Sequence, residues 1–92
     1  MNRSSRFKTF FITGVSSGFG RALAQAALND GHRVIGTLRR DDQRIQFDEL
    51  KPGQSIGRLL DVTDTAAIAP LIDDVETQLG AIDVLVNNAG YG

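Results

Sequence analysis

Thr13-Gly14-Val15-Ser16-Ser17-Gly18-Phe19-Gly20 joins a short apolar run to an amphipathic helical pattern. The run before it, Lys8 to Thr13, is aromatic and β-branched and reads as a buried strand. The stretch after it carries Phe19, Ala22, Leu23, Ala26 and Ala27 at i, i+3, i+4, i+7, i+8. That spacing predicts one buried stripe along a helix. A glycine-rich turn with a strand before it and a helix after it is the context of a dinucleotide-binding fingerprint. Gly14 would let the chain leave the strand sharply, Gly18 would let backbone approach a pyrophosphate, and Gly20 would allow close helix–sheet packing. Around Ser16, Ser17, Gly18 and Phe19 the backbone N–H groups would point at the phosphates, where the helix dipole favours negative charge.

Outward from this turn, strands and helices alternate. Asn29-Asp30-Gly31 stops the first helix. Val34 to Leu38 reads as a second strand, followed by Arg39-Arg40. Asp41 or Asp42 is expected to cap a short helix bearing Ile45, Phe47 and Leu50, which Pro52-Gly53 ends. Ile56 to Leu60 forms the third strand and Asp61 follows it. Thr63 or Asp64 should cap the next helix, with Ile68, Leu71, Ile72, Val75 and Leu79 inward and Gly80 as its stop. Pro70 lies within that pattern and predicts a kink or a split first turn, with one backbone hydrogen bond lost. Ile82 to Asn87 is the fourth strand.

Alternation of this kind implies βαβ units and a parallel sheet. Right-handed crossovers give a Rossmann-type strand order of 3-2-1-4, with ligand bound at the topological switch point. The fold class is therefore α/β, a Rossmann-type parallel sheet with flanking helices, incomplete at its fourth strand. Two helices would cover one face and one helix the other, leaving Val84 and Val86 or their neighbours uncovered.

Composition narrows the function classes. The chain has 92 residues, one small domain or part of a larger one. A net charge of −1 gives no electrostatic case for nucleic acid or an anionic membrane. Cysteine is absent, which removes disulfides and thiolate metal sites. The apolar stretch at Phe10-Phe11-Ile12 is far shorter than the roughly 7–15 residues of an export signal. No run approaches the roughly 18 apolar residues of a membrane span, and a cytoplasmic location is expected. Asp73, Asp74 and Glu76 read as a solvated helix face, so no metal site is assigned.

Three segments together carry a family resemblance: Thr13-Gly14 with Gly18-Phe19-Gly20, Asp61-Val62 after the third strand, and Asn87-Asn88-Ala89-Gly90 after the fourth. In these the chain resembles the classical short-chain dehydrogenases/reductases, over essentially all of its length but about the first third of a typical member. Residues 1–92 are accordingly expected to form the NADP(H)-binding first part of a larger single domain. The resemblance implies that Asp61 accepts a hydrogen bond from the adenine amino group, with the Val62 backbone against the same ring. A plainer role for Asp61 is a helix cap or a surface carboxylate. It also implies that the backbone of Asn88, Ala89 and Gly90 lines the ribose side of the cofactor, and that Asn87 or Asn88 ties neighbouring strands together.

Cofactor choice follows from the end of the second strand. An NAD site offers an Asp or Glu there, roughly 20 residues past the glycines, to hold the ribose 2′-hydroxyl. Leu38 stands at that position, and Arg39 follows with a guanidinium fork suited to a 2′-phosphate, with Arg40 beside it. NADP(H) is the expected cofactor. Ser17 stands where many NADP-preferring relatives carry a basic residue, and its hydroxyl could still bond the phosphate.

The family's chemistry rests on a Tyr-x-x-x-Lys pair with a Ser and an Asn from later elements. Tyr91 is the only tyrosine and has no partner lysine within the sequence, so no residue here is assigned a catalytic role. The resemblance thus implies a parent enzyme that moves hydride between nicotinamide and a small carbonyl or alcohol substrate, as a homo-oligomer. The other reading is a non-catalytic nucleotide-binding module.

Overall fold

The computed structural model describes residues 7–61 and 63–88. β1 (Thr9–Ile12), β2 (Arg33–Leu38), β3 (Ser55–Leu59) and β4 (Val84–Val86) form one parallel sheet in the order β3-β2-β1-β4. α1 (Gly18–Asn29) and α2 (Asp41–Leu50) alternate with the first three strands, and α3 (Ile68–Leu79) makes the long return from β3 to β4. The expected order is the one observed, a Rossmann-type arrangement with flanking helices.

Residues paired across a parallel sheet share a face, so the register sorts the core. Phe10, Val34 and Val84 align in one row, and Phe11, Ile35 and Leu85 in the next. Ile12, Val34 and Leu38 pack with Ala24, Ala27 and Leu28 of α1 and Phe47 of α2. On the opposite face Phe11 and Ile35 pack with Val75 of α3, joined by Leu71, Ile72 and Leu79. Central strands covered on both faces explain why β1 and β2 read as nearly continuous apolar runs. Gly36 interrupts β2 for a steric reason: a Cβ there would stand 2.5 Å from Val15 Cγ2 and 3.0 Å from Phe47 Cζ.

Three expectations need correction. The buried stripe of α1 is Gly20, Ala24, Ala27 and Leu28 with Leu23 half-buried, one residue on from the predicted stripe. Phe19 is 67% exposed, and Ala22 and Ala26 face outward. The helix seats itself by its smallest residue, which a count of apolar side chains overlooks. In α2 only Phe47 is buried, while Ile45 and Leu50 are each 44% exposed. Asp41 is the first residue of α2 and caps nothing; Arg40 flanks it in extended conformation, with no side-chain cap. Asp41 and Asp42 instead lie in the first turn, where negative charge complements the helix dipole.

The split first turn near Pro70 is present. A 3₁₀ turn, Thr65–Ala67, leads into α3, and Pro70 is the third residue of the α-helix, a place where proline is tolerated. Neither Asp64 nor Ala67, the residues that flank these two pieces, makes a side-chain cap. Val84 and Val86 are half-buried, with Val86 packed on the α1–α2 side, and the uncovered neighbour is Leu85, 57% exposed.

Candidate functional site

The turn after β1 is held from both sides by hydrogen bonds that cross the sheet. From β2, the Thr37 hydroxyl accepts the Gly14 N–H at 2.9 Å, and the Thr37 carbonyl accepts the Val15 N–H at 3.1 Å. From the end of β4, the Asn88 amide donates to the Gly14 carbonyl at 3.1 Å. The Thr13 hydroxyl accepts the Asn88 N–H at 2.8 Å and donates to Asn87 Oδ1 at 3.1 Å. The expected tie between strand ends therefore runs through both asparagines, with Thr13 as its centre. Thr13 and Thr37 are almost wholly buried. Sequence reading passed over Thr37, although a hydroxyl within a buried apolar strand demands a partner and so signals a neighbouring loop.

Each glycine of the turn has a separate steric reason. Gly14 and Gly18 have φ of +73° and +65°, which disfavours any side chain. A Cβ at Gly20 would stand within contact-forbidding range of the Gly14 carbonyl oxygen and 2.6 Å from Asn88 Nδ2. Among the described residues, nothing beyond the chain neighbours and helix backbone of Gly18 lies within 4 Å of a Cβ placed there. Ser17 precedes α1 in extended conformation and makes no side-chain cap. Ser16, Ser17, Gly18 and Phe19 are all exposed. The first N–H groups of a helix lack intrahelical partners, so this rigid mouth presents uncapped donors to whatever enters.

At the end of β2 the side chains diverge. Leu38 is buried on the α1–α2 side. Arg40 is tied to Asp42 by two hydrogen bonds, Nε to Oδ1 at 3.1 Å and Nη2 to Oδ2 at 2.8 Å, and this arginine holds the Asp42 carboxyl below its ordinary value. Arg39 is exposed and makes no hydrogen bond or salt bridge among the described residues. Asp61 follows the neighbouring strand β3. Its Oδ1 accepts both the Thr63 hydroxyl at 2.7 Å and the Thr63 N–H at 3.0 Å. Those two bonds lower the Asp61 carboxyl below its ordinary value, with the charge of Arg39 adding to the effect. Asp61 is thus an exposed, ionised acceptor whose Oδ2 has no bond among the described residues. Of the predicted set, Gly14, Gly20 and Asn88 are in contact, the charge of Arg39 acts on Asp61, and Arg40 is taken up by Asp42, while Val62, Ala89 and Gly90 lie outside the described residues.

No helix among the described residues is long and apolar enough to cross a membrane. The family model for short chain dehydrogenases matches residues 8–92. Similar proteins include 3-oxoacyl-acyl-carrier-protein reductase FabG of Salmonella typhimurium, 35% identical over 83 residues that make 90% of this chain and 34% of that protein. Oxidoreductase BOA17 of Botryotinia fuckeliana is 40% identical over 85 residues, 91% of this chain and 31% of the relative. In structure, a short-chain dehydrogenase from Streptomyces avermitilis superposes with a TM-score of 0.86 at 44% identity, over 98% of this chain and 32% of that one. The chain spans about a third of the length of the relatives it matches. A turn clamped between β2 and β4, the 3-2-1-4 sheet and a match along nearly the whole sequence agree: this chain belongs to the short chain dehydrogenase family.

Proposed function

We propose that this chain is the NADP(H)-binding first part of a larger single-domain oxidoreductase. The observation that carries the reading is the open mouth over Gly18, where uncapped helix N–H groups stand beside a turn fixed by Thr37 and Asn88. A pyrophosphate suits it: the donors are fixed in place, the dipole is favourable, and no side chain of the described residues lies within 4 Å of a Cβ placed on Gly18. Gly14 to Gly20 hold the phosphates, with Ser16 and Ser17 at the edge, Asp61 and Val62 meet the adenine, and Asn88 to Gly90 line the ribose side. When bound, the nicotinamide supplies the hydride-transfer chemistry. The chain's own work is to orient that group and to fix the strand ends around it.

Preference for the 2′-phosphate rests on Leu38 and Arg39. A buried leucine offers nothing to a ribose hydroxyl, whereas an exposed guanidinium with no salt bridge among the described residues offers a fork and a charge. On this reading, substrate and proton-transfer groups come from outside the third of the relatives' length that this chain matches. The reading extends to a small carbonyl or alcohol substrate, a homo-oligomeric whole protein and a cytoplasmic location, with no nucleic-acid or membrane partner. Calorimetric titration of the protein with NADPH and NADH tests it. NADPH binds more tightly, and Arg39→Ala loses roughly 1.5–3 kcal/mol of NADPH binding, as expected for a hydrogen bond to a charged group. Tighter NADH binding by the wild type would sink the assignment.

A further inference from the structure

Between α1 and α2, beside the glycine turn, lies a pocket of about 250 Å³. Its floor is apolar and buried, formed by Val15, Leu38 and Phe47. Its rim consists of Ser16, Arg21, Gln43 and Gln46 with Leu50, and no carboxylate of the described residues lines it. Each of the polar rim side chains carries at least one donor: a hydroxyl, a guanidinium fork and two amides. Of the carboxylates beside the lining residues in sequence, Asp42 is held by Arg40 at 2.8 Å and Asp48 by Arg44 at 3.1 Å, while Glu49, next to Leu50, makes no ion pair among the described residues. A donor-rich rim over an apolar floor suits an anionic group carried on a flat, partly apolar body.

Three arginines surround the end of β2, and they are not equivalent. Arg40 spends its fork on Asp42. Arg39 is not among the residues that line the pocket. Arg21 lines the pocket and makes no ion pair among the described residues. Its Nη1 reaches toward the Ser16 carbonyl at 3.5 Å, so the guanidinium lies over the turn on the α2 side. Arg21 also belongs to the first turns of α1, where helix dipole and side-chain charge add for an anion.

We propose that Arg21 is a specificity-determining residue for the dinucleotide, taking its 2′-phosphate at the mouth of this pocket together with Ser16 and Gln43. The assignment rests on the NADP(H) reading and moves part of the discrimination from the end of β2 to α1. A dianionic phosphate gains a charge-assisted bond from the Arg21 fork that a neutral 2′-hydroxyl cannot match. Leu38 then serves as the apolar floor on which the neighbouring sugar rests.

The test is the affinity of the protein for NADPH, NADH and adenosine 2′,5′-bisphosphate, measured by calorimetry on wild type, Arg21→Ala and Arg21→Lys. Arg21→Ala should weaken NADPH and the bisphosphate by about tenfold, the size of one charge-assisted bond, and leave NADH essentially unchanged. Arg21→Lys should recover part of the loss, since charge returns without the fork. NADH binding doubles as the folding control, because a misfolded variant loses both nucleotides and the lysine variant then carries the comparison. Equal losses of NADPH and NADH in both variants would assign Arg21 to the pyrophosphate and overturn the proposal. Unchanged NADPH affinity in Arg21→Ala would also overturn it, while an Arg39→Ala loss in the same experiment would leave the NADP(H) reading standing. A wild type that prefers NADH would remove the reading itself.

Discussion

A methyl group added at Gly20 would collide with the Gly14 carbonyl, whereas one added at Gly18 would meet open space at a φ of +65°. The two substitutions should therefore fail differently. Gly20→Ala must push α1 off the turn, an overpacking of a close backbone contact that costs about 1–3 kcal/mol of stability and weakens the Asn88 bond to Gly14. Gly18→Ala strains one residue by roughly 1–2 kcal/mol and puts its methyl into the mouth that faces the ligand. Denaturant melts and nucleotide titrations on both variants separate the cases: the larger stability loss belongs to Gly20→Ala, while Gly18→Ala loses affinity beyond its share of unfolding. Equal behaviour would show that the turn is read wrongly. At this scale the sequence was informative about backbone demands. Gly14 and Gly18 adopt the positive φ, and Gly20 the close backbone approach, that a sharp turn from strand to helix demands. What it did not reveal was pairing: Thr37 and Arg21 gain their significance only from neighbours brought in by the sheet.

Every strand and helix expected from periodicity exists, with ends displaced by a residue or two except at α3, whose expected first turn is the separate 3₁₀ turn Thr65–Ala67. The stripe of α1 was misread by one position for a physical reason: Phe19 is apolar but sits at the helix mouth, and Gly20 has no side chain to count. Interactions between elements were equally hidden. Asp48 of α2 accepts the Gly57 N–H of β3 at 2.6 Å through Oδ1 and holds Arg44 at 3.1 Å through Oδ2. Among the described residues β3 pairs only with β2, and a carboxylate over an edge amide both docks α2 and blunts that edge. Asp48→Ala should destabilise the protein by about 1–2 kcal/mol, the cost of leaving that amide without its charged acceptor. The measurement is a urea melt with the slope checked for two-state behaviour. An unchanged midpoint would show that solvent replaces the carboxylate without loss.

For the molecule as a whole, handed connections decide which face is covered. α1 and α2 pack on the side of Ile12 and Val34, and α3 alone packs on the side of Phe11 and Ile35. Leu85 belongs to the row of Phe11 and Ile35, yet it is 57% exposed, because α3 covers the sheet beside β1 and β2 and not as far as β4. β4 also pairs only with β1 among the described residues. A parallel sheet needs cover on both faces, and an apolar side chain next to an unpaired edge favours association. Residues 1–92 produced alone should therefore self-associate with rising concentration and bind an apolar dye. Leu85→Lys should reduce both effects, since a charge on an edge strand opposes strand-to-strand pairing. Size-exclusion chromatography over a concentration series, with dye fluorescence and a thermal melt on each form, makes the comparison. A monodisperse wild-type monomer with a sharp cooperative melt would show that the exposed face tolerates water, and would favour a self-sufficient nucleotide-binding module over part of an oxidoreductase.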